Sequence, residues 1–254
     1  MTYTLLRDVL DRPGHKVGCG VGEMTVPCIG HLLAAGGADF CFLDMEHSGI
    51  STETVKQVLV YMQAADVPTL VRPPSDAYHH IAGVLDSGAQ GLLLPMVGSA
   101  EQARTIVSRM KYPPIGVRGV GMGYGNDRYR VHPAAARQVE ANRQPMCMTL
   151  IETVDGLNNV EEIAAVEGVD VIWIGHSDLS ASMGIPGQYK SQAFQDAQQR
   201  IIAAGKKHGK HVCRAAADVA EGKEFIRLGI DMIAYSNDTK LLRTAIKEGI
   251  DALR

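Results

Sequence analysis

The sequence carries no surplus of charge of either sign. Its 25 Lys and Arg stand against 28 Asp and Glu, a formal net charge of -3, which leaves no footprint for nucleic acid or for an anionic membrane surface. No apolar run reaches the length of a membrane span, and residues 1–10 lack the basic start and long apolar centre of a secretory leader. A soluble, cytoplasmic protein is the expectation. Cysteine is scarce as well. Cys19, Cys28, Cys41, Cys147 and Cys213 are odd in number, scattered and without a Cys-x-x-Cys pair. Four of them lie in apolar, strand-like runs, where cysteine behaves as a small buried hydrophobe, so they read as structural thiols rather than ligands or nucleophiles. The glycine-rich run from Gly116 to Gly125 lacks the Gly-Lys-Ser/Thr ending of a phosphate-binding loop, so no nucleotide site is read there.

What the chain does contain is a regular alternation. At 254 residues and 46% hydrophobic it can bury one large core. Short apolar runs that predict strands occur at Lys16–Gly20, Phe40–Asp44, Thr69–Arg72, Gly91–Met96, Cys147–Ile151, Val169–Gly175, His211–Ala215 and Met232–Tyr235. Helical spacing follows each of them, over Val26–Ala35, Thr52–Ala65, His79–Ser87, Ala100–Lys111, Pro133–Asn142 and Gly156–Val166, then Ser191–His208, Val219–Leu228 and Thr239–Leu253. Eight β/α units without a linker predict a single (β/α)₈ TIM barrel over residues 1–254. Only Tyr112–Val131 breaks the rhythm. It is either a functional loop or a surface excursion.

In such a barrel the chemistry stands at the C-terminal ends of the strands. The second strand ends in Asp44-Met45-Glu46-His47, the third in Arg72, the fifth in Glu152, and the sixth in Ser177-Asp178. Alternation puts Leu150 and Met148 beneath Glu152, Phe42 beneath Asp44 and Leu70 beneath Arg72, an apolar floor under a charged rim. Glu152 and Asp178, at the ends of neighbouring strands, can aim at one hard cation. Oxygen donors without clustered sulfur or imidazole favour Mg²⁺ or Mn²⁺ over Zn²⁺. Each acid alone could be a helix cap, and Arg72 could merely neutralise Asp44 or Glu46. His47, next to those carboxylates, is the acid/base candidate.

Several motifs, in order over nearly the whole chain, resemble the HpcH/HpaI aldolase family. They are Leu43-Asp44-Met45-Glu46-His47, Val71-Arg72-Pro73, Leu94-Pro95-Met96-Val97, Gly116-Val117-Arg118-Gly119-Val120-Gly121 after Tyr112-Pro113-Pro114, Ile151-Glu152-Thr153, and Gly175-His176-Ser177-Asp178-Leu179-Ser180. The resemblance implies a metal-dependent aldolase related to 4-hydroxy-2-oxoheptanedioate aldolase, a hexamer of barrels acting on pyruvate and an aldehyde. It further implies that Glu152 and Asp178 hold the cation, that His47 is the base, and that Arg72 steadies the enolate. Asp44 joins the catalytic set, with Arg72, Ser177 and Asp178 toward substrate. Asp86, contributed across a subunit interface, would support the histidine; by itself Leu85-Asp86-Ser87-Gly88 reads as an ordinary helix end.

Two departures touch the pocket. Where the family commonly has Gly-Pro-Ala or Gly-Pro-Asn before the metal aspartate, this chain has Gly175-His176-Ser177; where a glutamine often precedes the metal glutamate by two residues, it has Leu150. A Schiff-base mechanism needs a lysine at the barrel mouth, and every lysine falls at a strand start, on a helix or in an outer loop. The remaining rivals are an oxaloacetate decarboxylase on the same scaffold and a non-catalytic barrel that binds a 2-oxo acid.

Overall fold

The computed structural model describes residues 3–254. Eight parallel strands pair in sequence order and close, β1 against β8, into a barrel. They are β1 (Lys16–Val21), β2 (Phe40–Asp44), β3 (Thr69–Arg72), β4 (Gly91–Leu94), β5 (Met146–Ile151), β6 (Val169–Ile174), β7 (His211–Ala216) and β8 (Met232–Asn237). The (β/α)₈ expectation stands.

The strands are apolar along nearly their whole length because both faces are covered. One face looks inward. Phe40, Leu70, Leu93, Met148, Leu150, Val171, Trp173 and Cys213 form the barrel interior. The other face packs on the surrounding helices, with Leu43, Val71, Leu92, Cys147, Ile172 and Val212 in that second, larger core. Cys19, Cys41, Cys147 and Cys213 are buried and reduced, while Cys28 is exposed. Burial first, then Asp170, pushes the Cys147 thiol up to about 12, and such a thiol is inert.

The helices are α1 (Leu6–Leu10), α2 (Ile29–Ala35), α3 (Thr52–Ala64), α4 (Tyr78–Asp86), α5 (Ala100–Met110), α6 (Ala134–Ala141), α7 (Val154–Asn158), α8 (Val160–Ala164), α9 (His176–Ser182), α10 (Gln192–Lys207), α11 (Val219–Arg227) and α12 (Asp238–Leu253). Ser51, Ser99, Thr153, Ser191, Asp218 and Asn237 each cap the helix that follows by accepting a backbone N–H. Among the described residues no helix is long and apolar enough to cross a membrane.

Three features differ from the sequence reading. Helix α1 was not foreseen; its Leu6 and Leu10 belong to the interior cluster and plug the end of the barrel opposite the strand carboxylates. The single helix expected over Gly156–Val166 begins earlier and is two short ones, broken at Asn159, whose amide donates to the Gly98 carbonyl at 2.7 Å. The strand ends at Ile174, so that Ser177-Asp178, placed by sequence at the end of the sixth strand, instead lie in α9.

The excursion between α5 and α6 carries one 3₁₀ turn, Gly125–Asp127, and is firmly anchored. Val117 and Arg118 donate backbone bonds to Ser108 and Lys111, Arg118 pairs with Asp86, and Arg137 pairs with the buried Asp127. Helix α12 is the opposite case. Only its first residue, Asp238, is buried, and Leu242, Ile246, Ile250 and Leu253 are 47%, 51%, 44% and 90% exposed. The first three, spaced by four, form one exposed apolar stripe that lines an open groove with Glu23 and Met24.

Candidate active site

The barrel mouth holds a cavity of about 570 Å³, lined by Asp44, His47, Arg72, Glu152, Ser177 and Asp178 above Phe42, Leu93, Leu150 and Trp173. Of the residues singled out by sequence, all but Asp86 meet there. The apolar floor is the one strand alternation predicts, with Leu150 among it; Leu70 lies deeper, in the sealed interior.

Arg72 is held as a fork. Its Nε donates to Asp44 Oδ1 at 2.8 Å and its Nη2 to Asp44 Oδ2 at 2.6 Å, while Nη1 lies 2.9 Å from Glu46 Oε2. The guanidinium also lies over the Phe42 ring, 5.6 Å from its centroid. Burial opposes the charge, but Asp44 and Glu46 outweigh it and raise the arginine's pKa. Arginine has five N–H donors, and the two hydrogen bonds to Asp44 leave three of them, those of Nη1 and one of Nη2, uncommitted. Arg72 thus pairs with both of the acids, Asp44 and Glu46, that the sequence offers it as partners.

Glu152 follows β5 and is 3% exposed. Its Oε1 accepts the Met96 N–H at 2.6 Å. Met96 sits just beyond β4 at φ 56°, a left-handed conformation costly for a residue with a side chain, and that turn aims its N–H at the carboxylate. On the other side Gly175 leaves the room Glu152 needs. A Cβ there would fall 2.5 Å from Glu152 Cβ and 2.9 Å from its Oε2. Burial first, then Glu46 and Asp178, push Glu152 up to about 7, against the Met96 bond and Arg72, which lower it.

Asp178 and Ser177 lie in the first turn of α9. His176, beside them, lines the cavity and meets Tyr189 edge-on at 5.1 Å between centroids. Burial and the nearby Arg214 depress its pKa to about 4, so the imidazole is neutral near pH 7. His47 is 64% exposed, with Nε2 3.9 Å from Glu46 Oε2. Asp86 ends α4 away from this cavity and, in its own chain, pairs with Arg118.

The electrostatics suit a divalent cation. Asp44, Glu46, Glu152 and Asp178 answer to one cation, Arg72, and burial first, then the neighbouring acids, raise the Glu152 pKa. Among the described residues no three His, Cys, Asp or Glu side chains close a cage. Two carboxylates with open positions match Mg²⁺ or Mn²⁺, which keep water or substrate oxygens as ligands. No lysine lines the cavity.

A (β/α)₈ barrel with carboxylates, an arginine and a histidine at its mouth has the layout of an enzyme of this fold. The chain belongs to the HpcH/HpaI aldolase/citrate lyase family, whose sequence profile matches residues 27–245. It is 37% identical over 237 residues to the hydroxypyruvate/pyruvate aldolase of Deinococcus radiodurans, spanning 91% of this chain and 83% of that protein. Against the 5-keto-4-deoxy-D-glucarate aldolase of Klebsiella pneumoniae it is 32% identical, over 94% of this chain and 92% of the relative. The crystal structure of an HpcH/HpaI aldolase from Desulfitobacterium hafniense DCB-2 superposes with a TM-score of 0.93 at 30% identity, covering 98% of this chain and 96% of that one.

Proposed function

We propose that this chain is a divalent-metal-dependent pyruvate aldolase, an aldehyde-lyase that forms and cleaves 4-hydroxy-2-oxo acids from pyruvate and an aldehyde. The observation that carries the reading is the carboxylate cluster around Glu152, with a pre-set arginine fork and a histidine on the same cavity. Glu152 and Asp178 would hold the cation. Bound there, Mg²⁺ or Mn²⁺ would polarise the keto carbonyl of pyruvate and acidify its methyl group.

The remaining work falls to side chains. His47 takes the methyl proton on an imidazole nitrogen, with Glu46 Oε2 3.9 Å from its Nε2. Arg72, already oriented by Asp44 and Glu46, turns its remaining donors on the enolate oxyanion. The methyl carbon then bonds to the aldehyde carbon, and the proton returns to the new alkoxide oxygen; cleavage is the reverse. Ser177 and Asp178, at the start of α9, border the bound substrate. A cavity of about 570 Å³ leaves space for a second small molecule beside a 2-oxo acid, which favours an aldolase over a decarboxylase.

The direct test is product detection by NMR with pyruvate, Mg²⁺ or Mn²⁺ and a panel of aldehydes. Borohydride added with pyruvate should leave the enzyme active, since no lysine is placed to form a Schiff base. His47→Ala should slow the reaction about a hundredfold or more while calorimetric metal binding persists. Near-normal turnover in that variant would remove His47 from the mechanism.

Leu150 makes a further expectation specific. An alkyl side chain on the floor donates no hydrogen bond to an acceptor oxygen, and an apolar wall discriminates weakly between aldehydes. Broad aldehyde tolerance follows, with no strong preference for an acceptor bearing a second carboxylate. Leu150→Gln should shift the ratio of kcat/KM values toward hydroxylated or acidic aldehydes and leave pyruvate methyl exchange largely intact. A strict preference for a dicarboxylate-forming aldehyde in the unmodified protein would contradict this.

The working form is a homo-oligomer, six copies by family resemblance. Two features support association: the apolar stripe of α12, and the exposure of His47, which leaves space for Asp86 of another copy to support the imidazole. Light scattering should give a multiple of 27.3 kDa, and a double Leu242→Asp, Ile246→Asp variant a smaller one. A monodisperse monomer in the unmodified protein would contradict it.

A further inference from the structure

The cavity is charged on one side only. Going round the barrel, Asp44 and Arg72 stand on β2 and β3, Glu152 follows β5 and Asp178 follows β6. The wall that completes the circle, from β7 through β8 to β1, is built from Ala215, Ala234, Ser236, Asn237, Gly20 and Val21. It holds no charged side chain. Pyruvate belongs with the carboxylates and Arg72, so the acceptor aldehyde is left with the uncharged sector.

His176 stands where the two sectors meet. It lines the cavity just after β6, the strand paired with β7, whose Ala215 opens the uncharged wall. The ring is also fixed in place. Tyr189 packs edge-on against it at 5.1 Å, Phe194 of α10 backs Tyr189 at 5.5 Å, and the Tyr189 hydroxyl lies 3.5 Å from Ser177 Oγ. Among the described residues the contact that fixes the imidazole is this packing, and the ring faces the cavity. A polar ring, held by packing and facing a cavity, is built to meet a polar group of a ligand.

We propose that His176, braced by Tyr189, is a specificity-determining residue that hydrogen-bonds a hydroxyl group on the acceptor aldehyde, so that the preferred acceptors are short, uncharged and hydroxylated next to the carbonyl. The inference rests on the aldolase reading above. It complements the Leu150 expectation: the floor is permissive, and one polar contact at the rim biases the choice. A hydroxyl suits the contact because the imidazole offers one donor and one acceptor nitrogen, as a hydroxyl does in return. An acceptor carboxylate has no cation in this sector to answer it.

The test compares glycolaldehyde with acetaldehyde, which differ by that hydroxyl, as acceptors for pyruvate with Mg²⁺ or Mn²⁺ present. Its readout is the ratio of the two kcat/KM values on one protein preparation, so a general loss of folded or metal-loaded enzyme cancels. His176→Leu should cut the glycolaldehyde-to-acetaldehyde ratio about tenfold, the worth of one neutral hydrogen bond. His176→Gln, which keeps a donor and an acceptor, should retain part of it, and provides the reading if the leucine variant fails to fold. A ratio unchanged in both variants, or equal loss on both aldehydes, overturns the role of His176 while condensation itself stands. If the unmodified protein neither condenses pyruvate with any aldehyde nor exchanges its methyl protons, the aldolase reading falls and takes this inference with it.

Discussion

Glu152→Gln is expected to do two opposite things. It should lower metal-dependent exchange of the pyruvate methyl protons by about 10²–10³-fold, the usual loss on removing one group that stabilises developing charge. It should also stabilise the metal-free protein at neutral and higher pH. The carboxyl pKa is raised by burial to about 7 from an ordinary value of 4.5, so the folded state holds a proton more tightly than the unfolded chain. That contribution to stability is full below about pH 4.5 and is lost as pH rises through about 7. Glutamine keeps an oxygen to accept the Met96 N–H and carries no charge to bury. Thermal melts of metal-free protein should therefore show the variant melting higher at pH 8, by about 2–4 °C for each kcal/mol recovered, and no higher at pH 4. A variant less stable at pH 8 would show that the site is not charge-strained.

Arg72→Lys is the second large effect, and its two losses run in the same direction. A lysine has one ammonium on a flexible stem and cannot span Asp44 Oδ1, Asp44 Oδ2 and Glu46 Oε2 together. One carboxylate is left without a partner in a site where the arginine side chain is only 12% exposed. Breaking a buried pair costs about 3–5 kcal/mol; partial exposure of the acids reduces this toward 3, or a Tm lower by roughly 10 °C. Turnover should fall about a hundredfold even at temperatures where the variant is folded, because the planar fork that faces the enolate is gone. A variant with normal melting and normal turnover would reduce Arg72 to a surface charge.

Much of this architecture was legible in the sequence because a parallel barrel writes itself plainly. Each strand is covered on both faces and so appears as an apolar run, and the acids that end β2, β5 and β6 interrupt those runs where solvent begins. Strand parity carried further, to Leu150 and Phe42 in the cavity floor. What stayed hidden has physical reasons. Helices α1 and α9, with five and seven residues, are too short to display a period of 3.6. The support that Met96 gives Glu152 comes from a positive φ at a residue that does not advertise it, and no pattern marks a backbone N–H as a partner 56 residues away. The bracing of His176 by Tyr189 depends on how the chain after α9 folds back toward the mouth. Asp86 was named only through family resemblance, and its own chain ties it to Arg118.

The most direct measurement is deuterium incorporation into pyruvate in heavy water, without any aldehyde, followed by NMR. Protein loaded with Mg²⁺ or Mn²⁺ should exchange the methyl protons, lose that exchange on treatment with a chelator, and regain it when the cation is returned. Exchange at full rate in metal-free protein, or none with either cation, would contradict the assignment of Glu152, Asp178 and His47 to enolate chemistry.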